Sequence, residues 1–205
     1  MNFIEFKNAF KDFTIFSLQD IRLAAPAFDR KRLTEWQRKG YLKKIVREFY
    51  IFSDSKLNEN VLFEIANKIY SPSYISFEMA LSYYHFIPES VYSITSASTL
   101  KTYTFNTSAA KFYYRAIKDD LFFGYDLIKN NNKYVKIASP EKAILDYFYI
   151  NPDIKSTGDF INMRLNSELF FQKTEEKKFY ELLGKFKQKT LQKRIKKFME
   201  FLKND

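Results

Sequence analysis

The side chains of this sequence best suited to chemistry are cations gathered between positions 30 and 47. Over residues 29–39 the only large apolar side chains are Leu33 and Trp36, three apart and so on one side of a helix. If that side meets a small core, the opposite side carries Arg30, Lys31, Thr34 and Arg38, with Arg32 and Gln37 flanking. Such a face suits the major groove of DNA. An arginine fork bonds a guanine edge bidentately, Gln and Thr bond other base edges, and lysine neutralises phosphate. Lys43, Lys44 and Arg47 follow in a segment that reads as a hairpin, where they would meet the neighbouring backbone. A solvated basic helix that touches nothing would carry the same charge, so the order of the surrounding elements has to separate the two readings.

That order is informative. Phe3, Phe6, Ala9, Phe10 and Phe13 repeat as one helical face. Ser17-Leu18-Gln19-Asp20 is a Ser-x-x-Asp start signal for a second helix, which Pro26 prevents from continuing. Asp29 caps the third, and Gly40 stops it as a left-handed residue. Residues 41–45 and 49–52 are two β-branched and aromatic runs around Val46-Arg47-Glu48, the pattern of a hairpin. Helix, helix, turn, helix and hairpin is the winged helix-turn-helix order. The expected fold class is α+β: a winged helix-turn-helix DNA-binding domain in residues 1–53, then a mixed α/β domain in residues 61–205 with basic amphipathic C-terminal helices.

Residues 54–60 read as the linker and 61–70 as a helix, and Ser76 caps a short helix through Met79, Ala80 and Tyr83. From 91 to 138 the pattern alternates as strands, with turns at 106–109, 118–120 and 130–132. Ser139-Pro140-Glu141 opens a helix whose buried face is Ala143, Ile144, Tyr147 and Phe148. After a loop, 175–187 and 190–203 are amphipathic helices. The run Lys193-Arg194-Ile195-Lys196-Lys197 reads as the solvated side of the second, or as a surface for DNA backbone or an acidic partner.

The formal net charge is +10, concentrated at the ends: +5 in residues 1–52, −1 in 53–172 and +6 in 173–205. A/T-rich coding bias would have spread the lysines evenly, so the clustering favours a polyanion partner. With no cysteine and a single histidine, neither thiolate chemistry nor a zinc site is available. His85 reads as a packing or helix-end dipole residue. Gly40, Gly124, Gly158 and Gly184 are too scattered for a phosphate loop. Asp119, Asp120, Asp126, Glu141 and Asp146 are the acids that would have to gather for a magnesium-dependent nuclease, though each also has a turn or capping explanation. Tyr83, Tyr84, Phe86, Tyr113, Tyr114, Tyr147 and Tyr149 are base-stacking candidates that serve as well in a core. No enzyme, cofactor or metal is therefore expected. The charged start MNFIEFKNAFKDF is unlike a signal peptide, and no apolar run reaches the roughly 18 residues of a membrane helix, so a cytoplasmic protein without a membrane partner is expected.

Two segments together resemble the AbiEi antitoxin family. One runs from Tyr74-Ile75-Ser76-Phe77-Glu78-Met79-Ala80-Leu81 through Ile87-Pro88-Glu89, Ile94-Thr95-Ser96 and Phe112-Tyr113-Tyr114 to Phe123-Gly124-Tyr125. The other is Ala138-Ser139-Pro140-Glu141-Lys142-Ala143-Ile144-Leu145-Asp146. Two departures stand out: Glu48 replaces the family's wing-turn glycine, and Ala110 its glycine before the Phe-x-Tyr strand. The resemblance implies an antitoxin of a type IV toxin–antitoxin, or abortive infection, system. Such a protein binds double-stranded DNA at its own promoter as an autorepressing transcriptional regulator. It opposes a nucleotidyltransferase toxin without forming a stable complex with it. The residues alone leave two other readings open, a regulator of an unrelated operon and the metal-dependent nuclease.

Overall fold

Helix starts in the first forty residues are fixed by polar side chains that answer free backbone amides. The computed structural model describes residues 1–89, 91–130 and 133–204. Asn2 and Glu5 form a capping box at the start of α1 (Phe3–Ala9). After β1 (Phe16–Ser17), Ser17 and Asp20 do the same for α2 (Leu18–Ala24): the Ser17 Oγ accepts from the Asp20 amide at 3.0 Å and Asp20 accepts from the Ser17 amide at 2.7 Å. Asp29 accepts from the Lys31 amide at 2.9 Å and opens α3 (Lys31–Arg38). Gly40, at φ +74°, turns the chain out of that helix into β2 (Leu42–Val46) and β3 (Phe49–Phe52). These two strands are antiparallel, and β1 pairs with β3, giving the order β1-β3-β2.

The turn between β2 and β3 is tight despite its lack of glycine. Val46 pairs with Phe49, leaving Arg47 and Glu48 as the two turn residues. Glu48 takes the left-handed region at φ +67°, a conformation costing a residue with a Cβ roughly 1–2 kcal/mol.

The rest of the chain builds a larger sheet. Asn58 caps α4 (Glu59–Ile69), which is followed by β4 (Ser73–Ile75) and α5 (Phe77–Tyr83). Strands β5 (Ser93–Ser98), β6 (Tyr103–Asn106), β7 (Lys111–Ala116), β8 (Tyr125–Asn130) and β9 (Lys133–Ala138) then add around β4, with a 3-10 turn at Asp119–Leu121. The order is β6-β7-β5-β4-β9-β8; β5/β7 and β4/β9 are parallel and the remaining pairs antiparallel. Five helices complete the chain: α6 (Pro140–Ile150), α7 (Thr157–Asn162), α8 (Ser167–Lys173), α9 (Glu176–Lys185) and α10 (Lys189–Asn204). The protein is thus a mixed α+β fold with helices at both ends. Among the described residues no helix is long and apolar enough to cross a membrane.

Both faces of the larger sheet are covered. The Tyr114 hydroxyl donates to the Ala66 carbonyl of α4 at 2.7 Å, while on the other face Tyr74 donates to Asp146 of α6 at 2.8 Å. A strand covered on both sides loses the alternation by which a sequence announces it. All three residues of β4 are buried, which is why it was not foreseen. The segment read as a loop after α6 contains α7 and α8, both too short to show a period. The turn expected at 130–132 falls partly on positions 131 and 132, outside the described residues.

Helix α6 differs most from its expected pattern. Besides Ala143, Ile144 and Phe148 it buries Lys142 and Asp146 completely, and Tyr147 is only half-buried. Lys142 Nζ donates to the Asp146 carboxylate and, at 2.9 Å, to the Tyr74 hydroxyl. Tyr74 and Ser76 both donate to the other Asp146 oxygen at 2.8 Å. Ser76 is therefore not a side-chain helix cap: its hydroxyl serves Asp146. The ammonium also lies within 5.4 Å of the ring centres of Tyr74, Phe123 and Phe186. Burial holds the Lys142 pKa below the ordinary lysine value, against the pull of Asp146. Every atom of the pair has a partner, so removing one member strands the other.

His85 is exposed rather than packed; it sits at φ +60° just past α5, where its amide and that of Phe86 bond back to Ser82 and Leu81. Arg194 leaves the solvated lysine run and turns inward, donating to the Phe148, Asn151 and Ile154 carbonyls at 2.9 to 3.0 Å around the end of α6.

Substituting Lys142→Met should destabilise the protein by about 3–5 kcal/mol, because Asp146 would keep a buried charge without its cation. A urea denaturation series of wild type and K142M checks this through the shift in midpoint.

Candidate nucleic-acid interface

Helix α3 is positioned by an aromatic cluster. Leu33 and Trp36 are 1% and 3% exposed, and the indole lies 4.8 Å from the Phe6 ring, 5.3 Å from Phe3 and 5.7 Å from Phe28. Phe10, Phe16, Leu18, Ile21, Leu42, Tyr50 and Phe52 complete this core. With the apolar side of α3 committed inward, Arg30, Lys31, Arg32, Thr34 and Arg38 are all exposed. None of the other described residues covers them.

Gln37 departs from its expected place. It is half-buried and its Nε2 donates to the Leu33 carbonyl one turn back at 2.9 Å, so one of its two amide donors is committed to its own helix. Lys43 and Lys44 are both exposed but stand on opposite faces of the hairpin. Lys44 pairs with Tyr50, on the side of the α3 core. Lys43 pairs with Ile51, on the side that packs against the larger core. The structure therefore brings Lys44 to the α3 side and leaves Lys43 apart. Arg47 is exposed in the turn itself.

Two acids, Glu35 and Glu48, also belong to this surface. Glu35 accepts from Lys39 at 2.6 Å, which lowers its pKa. Glu48 places its carboxylate 4.0 Å from Arg30. The spacing of Glu35 and Lys39 signals an i, i+4 pair directly; nothing local signals the contact of Glu48 with Arg30.

The small unit is tied to the larger one through α4. Lys68 Nζ donates to Asp20 at 2.9 Å and to the Ile15 carbonyl at 3.2 Å, and Lys7 bonds Asp54 at 2.6 Å. Ile15, Ile45 and Ile51 of the first fifty-two residues pack into the larger core. Burial pushes the Asp20 pKa up, but Lys68 and the Ser17 bonds outweigh it and leave the group below its ordinary value of 3.8.

The other candidate residues are occupied differently. Glu141 accepts from Ser139 and from the Glu175 amide, and pairs with Lys178 at 3.0 Å. Asp146 belongs to the buried network, and Asp120 faces Lys187 at 3.6 Å. Among the described residues, no three His, Cys, Asp or Glu side chains converge as a metal site. Of the aromatics, Phe86 and Tyr114 are fully buried, and Tyr84 donates to the Ala138 carbonyl at 2.8 Å.

No protein-family model matches this chain. No curated protein matches it either. Among solved structures, it is similar to the crystal structure of the RV2827C protein from Mycobacterium tuberculosis, with a TM-score of 0.63 over 97% of this chain and 75% of that one. Sequence identity is 10%, so the likeness is one of fold.

The depressed pKa of Asp20 gives the junction an acid limit. Its stabilisation is complete above the unfolded value of 3.8 and is lost as pH falls through the lower folded value. Thermal melts from neutral pH down to about 3 should show Asp20→Asn destabilised at neutral pH, with the gap to wild type closing at the acid end.

Proposed function

We propose that α1 to α3 and the β2–β3 hairpin form a winged helix-turn-helix that reads DNA, and that the protein is a promoter-binding antitoxin of a type IV toxin–antitoxin system. The observation that carries the DNA reading is the row of exposed cations on α3, directly opposite a buried tryptophan. The order of helices and strands and the β1-β3-β2 sheet support it. In this reading α3 enters the major groove, where Arg30 and Arg38 have the fork geometry for guanine edges and Lys31 and Arg32 neutralise phosphates. Lys44 and Arg47 then meet the adjacent backbone from the wing. The antitoxin role rests on the resemblance through Tyr74–Tyr125 and Ala138–Asp146 alone. It assigns the chain autorepression in the cytoplasm and an opposing role toward a nucleotidyltransferase toxin, without stable association. Its companion gene should encode a protein with a nucleotidyltransferase-like Gly-Ser and Asp-x-Asp pattern.

The triple substitution R30A/K31A/R38A should abolish specific binding to the protein's own upstream region while leaving the circular dichroism spectrum unchanged. Residual binding should lose salt dependence, by about 0.9 in the log–log slope for each phosphate contact removed. Mobility-shift titrations at several salt concentrations measure both. A triple variant that shifts promoter DNA like wild type would overturn the assignment. The antitoxin role is checked separately, by whether co-expression relieves growth arrest caused by the companion protein.

A further inference from the structure

Glu48 stands on the proposed DNA face with a charge of the wrong sign for it. It occupies the left-handed region at φ +67°, where glycine would sit without strain. Its backbone carbonyl accepts from the Leu18 amide at 3.0 Å, locking the turn to the start of α2. That bond needs no particular side chain. The carboxylate instead reaches Arg30 at 4.0 Å, with the two side chains 45% and 61% exposed. An ion pair so long and so wet contributes almost nothing to folding stability. Tyr50 lies buried near both: burial raises its phenol pKa, and Arg30 and Glu48 act on it in opposite senses. The acid is thus poorly explained by the fold, and its position is where a duplex backbone would approach.

We infer that Glu48 is a specificity-determining residue of the proposed DNA interface: its carboxylate lies beside Arg30 in the free protein and repels phosphate, a small bias that a base edge offered to Arg30 outweighs and a phosphate alone does not. This inference rests on the DNA reading above. Non-specific binding is almost wholly the summed attraction of cations for phosphates. A carboxylate on that surface subtracts from it and offers Arg30 an internal alternative. At the cognate site a bidentate guanine contact compensates Arg30 for leaving Glu48; at a random site only a phosphate does, with Glu48 still opposing it. Discrimination then comes from a penalty on wrong DNA as well as attraction to right DNA.

The test uses the full chain as wild type, E48Q, R30A and R30A/E48Q, titrated against its own-promoter duplex and a scrambled duplex over a range of salt. E48Q should bind the scrambled duplex roughly three- to tenfold tighter, with a log–log salt slope steeper by about 0.9, one additional counterion. Promoter affinity should change less, so the specificity ratio falls. In the R30A background the gain from E48Q should shrink, because the effect runs through Arg30. E48Q affinities equal to wild type for both duplexes would overturn this inference while leaving the DNA reading standing. So would a selective loss of promoter binding, which would mean that Glu48 itself reads a base. Failure of the wild-type chain to bind either duplex would overturn the DNA reading, and this inference with it. Matching thermal melts establish that E48Q is folded.

Discussion

An eight-residue helix with two large apolar side chains has one way to be buried, and α3 is such a helix. Leu33 and Trp36 share one side of it, and the core beneath is built from phenylalanines of α1, β1 and β3, with Phe3 and Phe6 of α1 and Phe28 of the segment before α3 against the indole. Rotating α3 to hide its cations would pull Trp36 into water and bury several guanidinium and ammonium groups without counter-charges. The second cost alone exceeds what the packing of so small a unit supplies. The outward direction of Arg30, Lys31, Arg32 and Arg38 is therefore a consequence of where the tryptophan must go.

The larger unit solves a different problem. Its sheet has helices on both faces, so the central strand β4 and helix α6 have almost no solvent side. Polar groups there must be satisfied internally. Lys142, Asp146, Tyr74 and Ser76 do this as a mutually bonded set, with aromatic rings around the ammonium, whereas the buried Ser73 hydroxyl of β4 has no partner among the described residues. Such a network contributes less to net stability than an apolar cluster of equal volume, but it tolerates no missing member. It pins α6 to β4 at one register, and Arg194 fixes the far end of the same helix by collecting its last carbonyls.

The two units meet through side chains rather than through a shared sheet. Lys68 of α4 answers both Asp20, at the start of α2, and the Ile15 carbonyl. The same hairpin that presents Lys44 and Arg47 sends Ile45 and Ile51 into the larger core. The proposed DNA-reading surface is thereby held on a body much larger than itself, and any bend or shift of the hairpin is opposed by that core.

Local features of the fold were legible in the sequence because they act within one turn of chain. Ser17 with Asp20, Asp29, Gly40, and Ser139 with Pro140 specify helix ends through bonds two or three residues long, and the spacing of Leu33 and Trp36 sets the cationic face. Features decided by distant partners were not legible. Three buried residues became β4 only because β5 pairs with them from 21 to 25 positions away and β9 from 62. Hydropathy reads Lys142 and Asp146 as surface charges, and only the sheet packed over α6 makes them core. Gln37 and Arg194 had free donors in the sequence; the structure gave them carbonyls. The identity of Glu48 was plain from the start, but its contact with Arg30 needed a folded hairpin laid beside α3. Short-range hydrogen bonds are written in adjacent letters, whereas burial and pairing depend on which surfaces the whole chain brings together.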